Sequence, residues 1–285
     1  MYIAFIGIPL IEEMPEGPEI KVSEDELRPR IVGNTITNIS WTERAKQKNL
    51  DQVKTPIKII GTGTHGKKMF FYLESQQVII FSYGMTGRLV WNQGNHSYIN
   101  FTLNFKVHQD KLILNKKQVL YFDDSRHFGS VECLSWDSFP HYLSRLGPDL
   151  LANVIPSDDW RQIFRQKKLQ NKQICQVLLD QAIISGVGNY IKAEVLYYSK
   201  IKPDRIIQSL ADQELETLRQ VTHWVIRQSY KYGGLTLRDF ISPSGNPGVF
   251  PVAIYGKSHD PNGYTVVKQK FKDTRTTHWV PEIQV

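Results

Sequence analysis

Met14-Pro15-Glu16-Gly17-Pro18-Glu19-Ile20 is the stretch on which the reading of this 285-residue sequence turns. Taken as internal chain, it is a turn leading into a helix. Pro18 suits a first helical position, where its missing N–H has no partner to lose, and the acids fall in the first turn, at the positive end of the helix dipole. A helix is expected over residues 18–28, with Pro29 as its stop. Taken as a true N-terminus, the same residues are different chemistry. Loss of Met14 leaves Pro15 with a free secondary amine. An α-amino group titrates near ~8, against ~10.4 for lysine, so an appreciable fraction is unprotonated at neutral pH. Such an amine can attack a sugar C1′ and form a Schiff base. Glu16 and Glu19 beside it supply acid/base groups.

Working upstream, residues 1–13 (MYIAFIGIPLIEE) contain two acids and no Lys or Arg. They lack the positive start and small-residue cleavage site of a secretory signal. A buried first strand is one reading. The sharper one is an extension from a misassigned start, with Met14 as the working initiator.

Working downstream, the period shortens. The segments 68–74 (KMFFYLE), 77–84 (QVIIFSYG), 98–107 (YINFTLNFKV) and 111–115 (KLILN) are aromatic and β-branched, with Gly, Asn and Asp between them. They predict an antiparallel β-sandwich. After Leu146-Gly147-Pro148-Asp149 the spacing turns helical, with helices expected over 158–166, 173–184, 189–199 and 212–232. Ser209, three before Asp212, suggests a capping box, and Gly233 a helix stop. Strands return from Val249, with a turn at Asp260-Pro261-Asn262-Gly263. The fold class is therefore α+β. The expected divisions are the extension 1–13, a sandwich 14–140, a linker 141–157, a helical domain 158–247 and a C-terminal hairpin 248–285.

Composition narrows the function classes. Hydrophobic residues make up 41 %, which excludes a wholly disordered chain. No apolar run reaches the ~20 residues of a spanning helix, so no membrane partner is expected. The net charge is +7, and residues 160–205 carry nine basic against three acidic side chains, among them Arg161, Arg165, Lys167, Lys168, Lys172 and Lys192. Such a surface either faces solvent or binds a phosphate backbone by releasing counterions. Two cysteines, Cys133 and Cys175, are too few for a disulfide scaffold or a four-thiolate metal site, and suggest a reducing compartment.

Several short strings invite a chemical reading that their residues alone leave open. Gly186 and Gly188 allow a tight turn, and Asn189 either caps the next helix or joins its exposed N–H groups in an anion site. Lys67 is either a surface lysine or a functional one. Met85, Arg126 and Phe128 are either core and strand-end residues or a surface constellation.

Taken in order, however, MPEGPEI (14–20), THGKKMF (64–70), GMTGRL (84–89), DDSRHFGSV (123–131), LGPDLL (146–151), GVGNYIKAEVL (186–196) and GGLTLRDF (233–240) with SGNPGVF (244–250) resemble the Fpg/Nei family of DNA glycosylases, its endonuclease VIII branch in particular. The resemblance runs from Met14 almost to the end. It implies a helix–two-turns–helix in the helical domain and a bifunctional glycosylase/AP lyase that removes oxidised bases in base excision repair. It carries the catalytic roles onto Pro15, Glu16, Glu19 and Lys67. Lys67, Asn189 and Arg275 would bind the DNA phosphates, while Met85, Arg126 and Phe128 would fill the gap left by the flipped nucleotide. Ser125 and His127 depart from the family's usual Pro and Arg.

The C-terminus departs further. The positions of the family's zinc thiolates fall on His259, Asn262, Val280 and Ile283, and Val and Ile cannot ligate zinc. This resembles the zincless finger of Nei-like glycosylases, a hairpin held by apolar packing that presents Arg275 to DNA. No metal and no organic cofactor are expected. The expected partner is duplex DNA carrying oxidised bases or abasic sites, the expected state a monomer, and the expected location wherever the genome lies, cytoplasmic or nucleoid-associated and not secreted. Pyrimidine lesions are favoured, with formamidopyrimidines or 8-oxoguanine as possibilities that the 233–250 stretch raises. If residues 1–13 stay attached, Pro15 is an amide and the alternative is a non-catalytic binder of damaged or abasic DNA. An RNA-binding helical module is a third reading, which the matches in the sandwich half oppose.

Overall fold

A computed structural model describes residues 14–109, 112–237 and 240–285. The segment 1–13, and with it the expected extension, lies outside the described residues. Helix α1 (Gly17–Ile31) is followed by β1 (Thr35–Trp41), β2 (Gln47–Lys48), β3 (Ile57–His65), β4 (Lys68–Leu73), β5 (Gln77–Ser82), β6 (Arg88–Val90), β7 (Ser97–Gln109), β8 (Leu112–Asp123) and β9 (Ser130–Ser135). The strands join in the order β2-β9-β5-β4-β3-β1-β7-β8-β6. Neighbours are antiparallel except β2 and β9. β4 and β5 lie far from β7 and β8 in that order, yet their faces meet. Phe81 packs on Phe101 and Phe122 at ring distances of 5.6 and 6.1 Å. The sheet therefore folds back on itself as the predicted sandwich, with β2 and β6 as edges. On the outer face, Phe70, Val78 and Ile80 form a second cluster with Tyr142. Burial on both faces is why these strands read as nearly unbroken apolar runs.

The helical half holds α2 (Phe139–Leu143), α3 (Ser157–Phe164), α4 (Ile174–Leu179), α5 (Asn189–Tyr198) and α6 (Asp212–Lys231), and the hairpin β10 (Val267–Lys270) and β11 (Thr276–Trp279) closes the chain. α4 is shorter than the expected 173–184 helix. It stops before Asp180, and residues 180–188 are spent on the two turns that aim α5. α6 is capped by the Glu214 carboxylate, which accepts the Ala211 N–H at 2.7 Å, and not by Ser209, whose hydroxyl bonds to the Ile206 carbonyl.

α1 joins the halves. It packs on β3, β4 and α6. Pro29 does not stop it: the helix runs on to Ile31, because proline's φ is already helical and Leu27 and Ile31, one turn apart, are both fully buried. At its start the Gly17 N–H donates to the Gly186 carbonyl at 2.9 Å. That contact brings the first turn of α1 against the two-turn segment, and the candidate site forms there.

Candidate active site and DNA interface

Glu16 precedes α1, but its carboxylate belongs to α5. Oε1 accepts the Tyr190 N–H at 2.9 Å, and Oε2 accepts those of Gly188 at 2.6 Å and Ile191 at 3.4 Å. The N–H groups of a first helical turn have no partner within the helix, and the dipole favours an anion there. Glu16 thus does the capping that is one of the two readings of Asn189.

Glu19 lies one turn on. Its Oε2 accepts the Glu16 N–H at 2.8 Å, while Oε1 accepts the Leu235 N–H at 2.7 Å and the Tyr190 hydroxyl at 2.9 Å. Both glutamates are completely buried. Burial holds the Glu19 carboxyl above the usual glutamate range, against the opposing pull of its hydrogen bonds. Glu19 therefore keeps its proton to a higher pH than an exposed glutamate.

Lys67 occupies the turn between β3 and β4. Gly66 before it has φ of 55°, and its N–H donates to Asp149 Oδ2 at 3.0 Å. A Cβ at Gly66 would come within 2.6 Å of the Ser185 side chain, so glycine lets this turn approach the two-turn segment. Lys67 Nζ reaches Met14 Sδ at 3.6 Å. Its ammonium and the Glu16 carboxylate both lie close against Gly188: a Cβ there would overlap the Glu16 carboxylate and lie 2.5 Å from Lys67 Nζ. Met14, Pro15, Lys67, Lys68 and Phe128 share the wall of one cleft of about 470 Å³. The structure thus gathers Pro15 and Lys67 in a cleft, with Glu16 and Glu19 buried beside it.

The second constellation is a pair of loops. Buried Asp124 accepts the Thr86 hydroxyl and, at 2.7 Å, the Gly129 N–H, while the Thr86 hydroxyl accepts the Arg126 N–H at 3.0 Å. These bonds clamp the 84–87 loop to the 125–129 loop. Arg126 Nη1 then lies 3.9 Å from Met85 Sδ, and Phe128 is 58 % exposed, with Lys46 Nζ 5.7 Å from its ring centre. A phenylalanine held out in this way is available to stack. None of the three is a core residue.

The third constellation is the base of the hairpin. Asn189 is buried and donates to the Thr276 carbonyl and the Tyr255 hydroxyl, each at 3.1 Å. It therefore ties α5 to the hairpin beside Arg275. Val280 is fully buried and Ile283 packs against the core, while His259 is exposed and pairs with the Ser258 hydroxyl at 3.1 Å. These residues do not fit a zinc ion. The hairpin is instead held by packing such as Phe271 on Trp279, and its 260–263 turn by Asp260, which accepts the Tyr264 N–H at 2.8 Å and the Tyr197 hydroxyl at 2.9 Å.

The sequence model of the formamidopyrimidine-DNA glycosylase N-terminal domain matches residues 14–131, and that of the formamidopyrimidine-DNA glycosylase H2TH domain matches residues 146–241. The chain belongs to the Fpg/Nei family of DNA glycosylases. Within the family it is 28 % identical to a formamidopyrimidine-DNA glycosylase of Thermus thermophilus, over 95 % of this chain and 98 % of that one. The crystal structure of the Thermus protein superposes with a TM-score of 0.82 at 27 % identity, covering 95 % of this chain and 98 % of that one. A Lactococcus lactis Fpg mutant bound to DNA containing Fapy-dG superposes with a TM-score of 0.80 at 26 % identity, over 95 % and 99 %. The wild-type Lactococcus protein bound to DNA containing an oxidised pyrimidine gives 0.79 at 26 % identity, over 95 % and 99 %.

Within this Fpg/Nei site the sequence left Lys68 and Tyr190 unread and misplaced Lys192 on the basic surface. Lys68 lines the same cleft and donates to the Ser82 hydroxyl; burial lowers its pKa, with Lys67 adding to the effect. Tyr190 links Glu19 to the Ser229 hydroxyl, at 2.8 Å. Lys192, expected on the basic surface, is instead fully buried on α5, where Asp273 and Thr277 hold its ammonium. A Lys-Lys pair after Gly66 was a visible signal for the first. The other two depend on partners distant in sequence.

Proposed function

We propose that the protein is a bifunctional glycosylase/AP lyase acting on oxidised bases in duplex DNA, through a Schiff base at Pro15 once the residues before it are removed. The observation that carries this reading is the cleft shared by Pro15 and Lys67, with the Glu16 carboxylate and the Lys67 ammonium both close against Gly188. The family match beginning at residue 14 supports it.

In the proposed reaction the Pro15 nitrogen attacks C1′ of the flipped nucleotide. The base leaves with the bonding pair and takes up a proton. Glu19, which burial keeps protonated to a higher pH, serves to protonate the base or the sugar. Glu16 shuttles protons during ring opening. The Schiff base acidifies C2′, so that the 3′ phosphate and then the 5′ phosphate are eliminated. Water finally releases the sugar remnant and regenerates the amine, leaving a one-nucleotide gap. Lys67, Asn189 and Arg275 hold the phosphates around the lesion. Met85, Arg126 and Phe128 fill the space it leaves.

Both oxidised pyrimidines and ring-opened purines are chemically suited to this route, and the endonuclease VIII reading favours the former. The test is borohydride reduction of the protein on duplexes carrying thymine glycol, dihydrouracil, formamidopyrimidine or 8-oxoguanine. A chain beginning at Pro15 is expected to form a covalent adduct, most with the pyrimidine lesions. Absence of any adduct, with binding retained, would make the protein a non-catalytic binder of damaged DNA.

A further inference from the structure

We propose that Lys192 is a positioning residue for the tip of the finger, acting through Asp273 to hold Arg275 where it meets DNA. Lys192 is fully buried on α5, one turn after Asn189. Its Nζ donates to Asp273 Oδ2 at 2.5 Å and to Thr277 Oγ1 at 2.7 Å. The other Asp273 oxygen, Oδ1, accepts the N–H of Arg275 at 3.2 Å. One carboxylate thus connects an ammonium on the helix to the backbone of the residue that faces DNA.

The neighbouring bonds converge on the same loop. Asn189 holds the Thr276 carbonyl, and Gln173 Oε1 accepts the Lys272 N–H at 3.0 Å. The loop is therefore anchored to the helices on both sides of its tip. The tip itself is strained: Thr274, a β-branched residue, sits at φ of 62°. Such a conformation persists only where its surroundings impose it. A buried ion pair is a poor source of net stability, because desolvating both charges offsets most of their attraction. Its use here is geometric. It fixes one arrangement of the loop at a position where Val280 and Ile283 leave no metal to do so.

The inference rests on the proposed contact of Arg275 with a phosphate, and salt dependence separates the two. Each phosphate contact steepens the fall of log K with log salt by about 0.9. Lys192 is buried and cannot release a counterion itself. The measurement is binding of the full chain to a duplex containing a tetrahydrofuran abasic-site analogue over a range of salt. Arg275→Ala is expected to reduce the slope by about one contact, Lys192→Met to reduce it equally, and the double variant to lose no more than either. Asp273→Asn, which keeps the size of the side chain and removes its charge, is expected to do the same and serves if Lys192→Met does not fold. If Arg275→Ala reduces the slope while Lys192→Met or Asp273→Asn leaves it at the wild-type value, the positioning role is wrong and the phosphate role stands. If Arg275→Ala leaves the slope unchanged, the phosphate role is wrong and the inference falls with it.

Discussion

Two fully buried glutamates meet α5, one at its start and one in its middle, and each accepts three backbone N–H groups. At the N-terminal end Glu16 takes those of Gly188, Tyr190 and Ile191. In the middle of the helix Glu194 takes those of Ala253, Ile254 and Tyr255, at 2.6, 3.0 and 2.8 Å. Burial and hydrogen-bond count do not distinguish them. Their surroundings do. Glu16 and the Lys67 ammonium both lie against Gly188, next to the cleft lined by Lys67 and Pro15. Glu194 faces the chain entering the finger and staples it to the helix. On the proposed reading Glu16 is the reactive carboxylate, because it lies next to the cleft of Pro15 and Lys67, and Glu194 is a structural one, because the N–H groups it gathers belong to the chain entering the finger.

That contrast can be broken by experiment. The largest effect is expected for Glu16→Gln, which should slow base excision on the order of 100-fold or more, the usual contribution of a positioned acid/base group. Single-turnover kinetics on a lesion duplex measures it, and a loss of thermal stability with unchanged kinetics would make Glu16 a second staple. Gly188→Ala comes next. The added methyl overlaps the Glu16 carboxylate and crowds Lys67, and displacement of about 1 Å in such a site costs about 100-fold in rate. The same assay should show it with little change in binding to undamaged DNA.

Glu194→Gln should show the reverse pattern. Losing a charged acceptor for buried N–H groups is expected to cost about 1–3 kcal/mol, read by denaturant unfolding, with turnover per folded molecule retained. The smallest effect is its pH dependence. Burial raises the Glu194 carboxyl above 4.5, its ordinary value. The folded state then binds the proton more tightly than the unfolded state. Its contribution to stability is therefore full below the ordinary value and lost as pH rises through the raised one. The stability deficit of Glu194→Gln should shrink as pH rises across that window, and a deficit that grows instead would reverse the assignment.

What can be read in the sequence is local. The glycine spacing of 186–188, the apolar runs of β4 and β5 and the proline-led start of α1 each express a short-range constraint. Local reading fails where distant contacts overrule local preference. Pro29 is carried inside α1 by burial of Leu27 and Ile31 on the sandwich. The 173–184 helix is cut short by turns whose purpose is to bring Gly186 against Gly17. Asn189 has the composition of a cap, yet Glu16, far earlier in the chain, takes that place. Lys192 and Asp273 are 81 residues apart, and neither suggests the other until the hairpin folds onto α5. In the site, residue types are legible, and the bonds that orient them are not.

If Pro15 is the nucleophile, as proposed, peptide mapping of the borohydride-reduced adduct will find it. The protein would be reacted with a duplex containing an abasic site, reduced, digested and sequenced by mass spectrometry. The sugar remnant is expected on the nitrogen of Pro15, at the start of its peptide. An adduct on Lys67 or Lys68, or one that forms equally with Pro15 still joined to Met14, would contradict it.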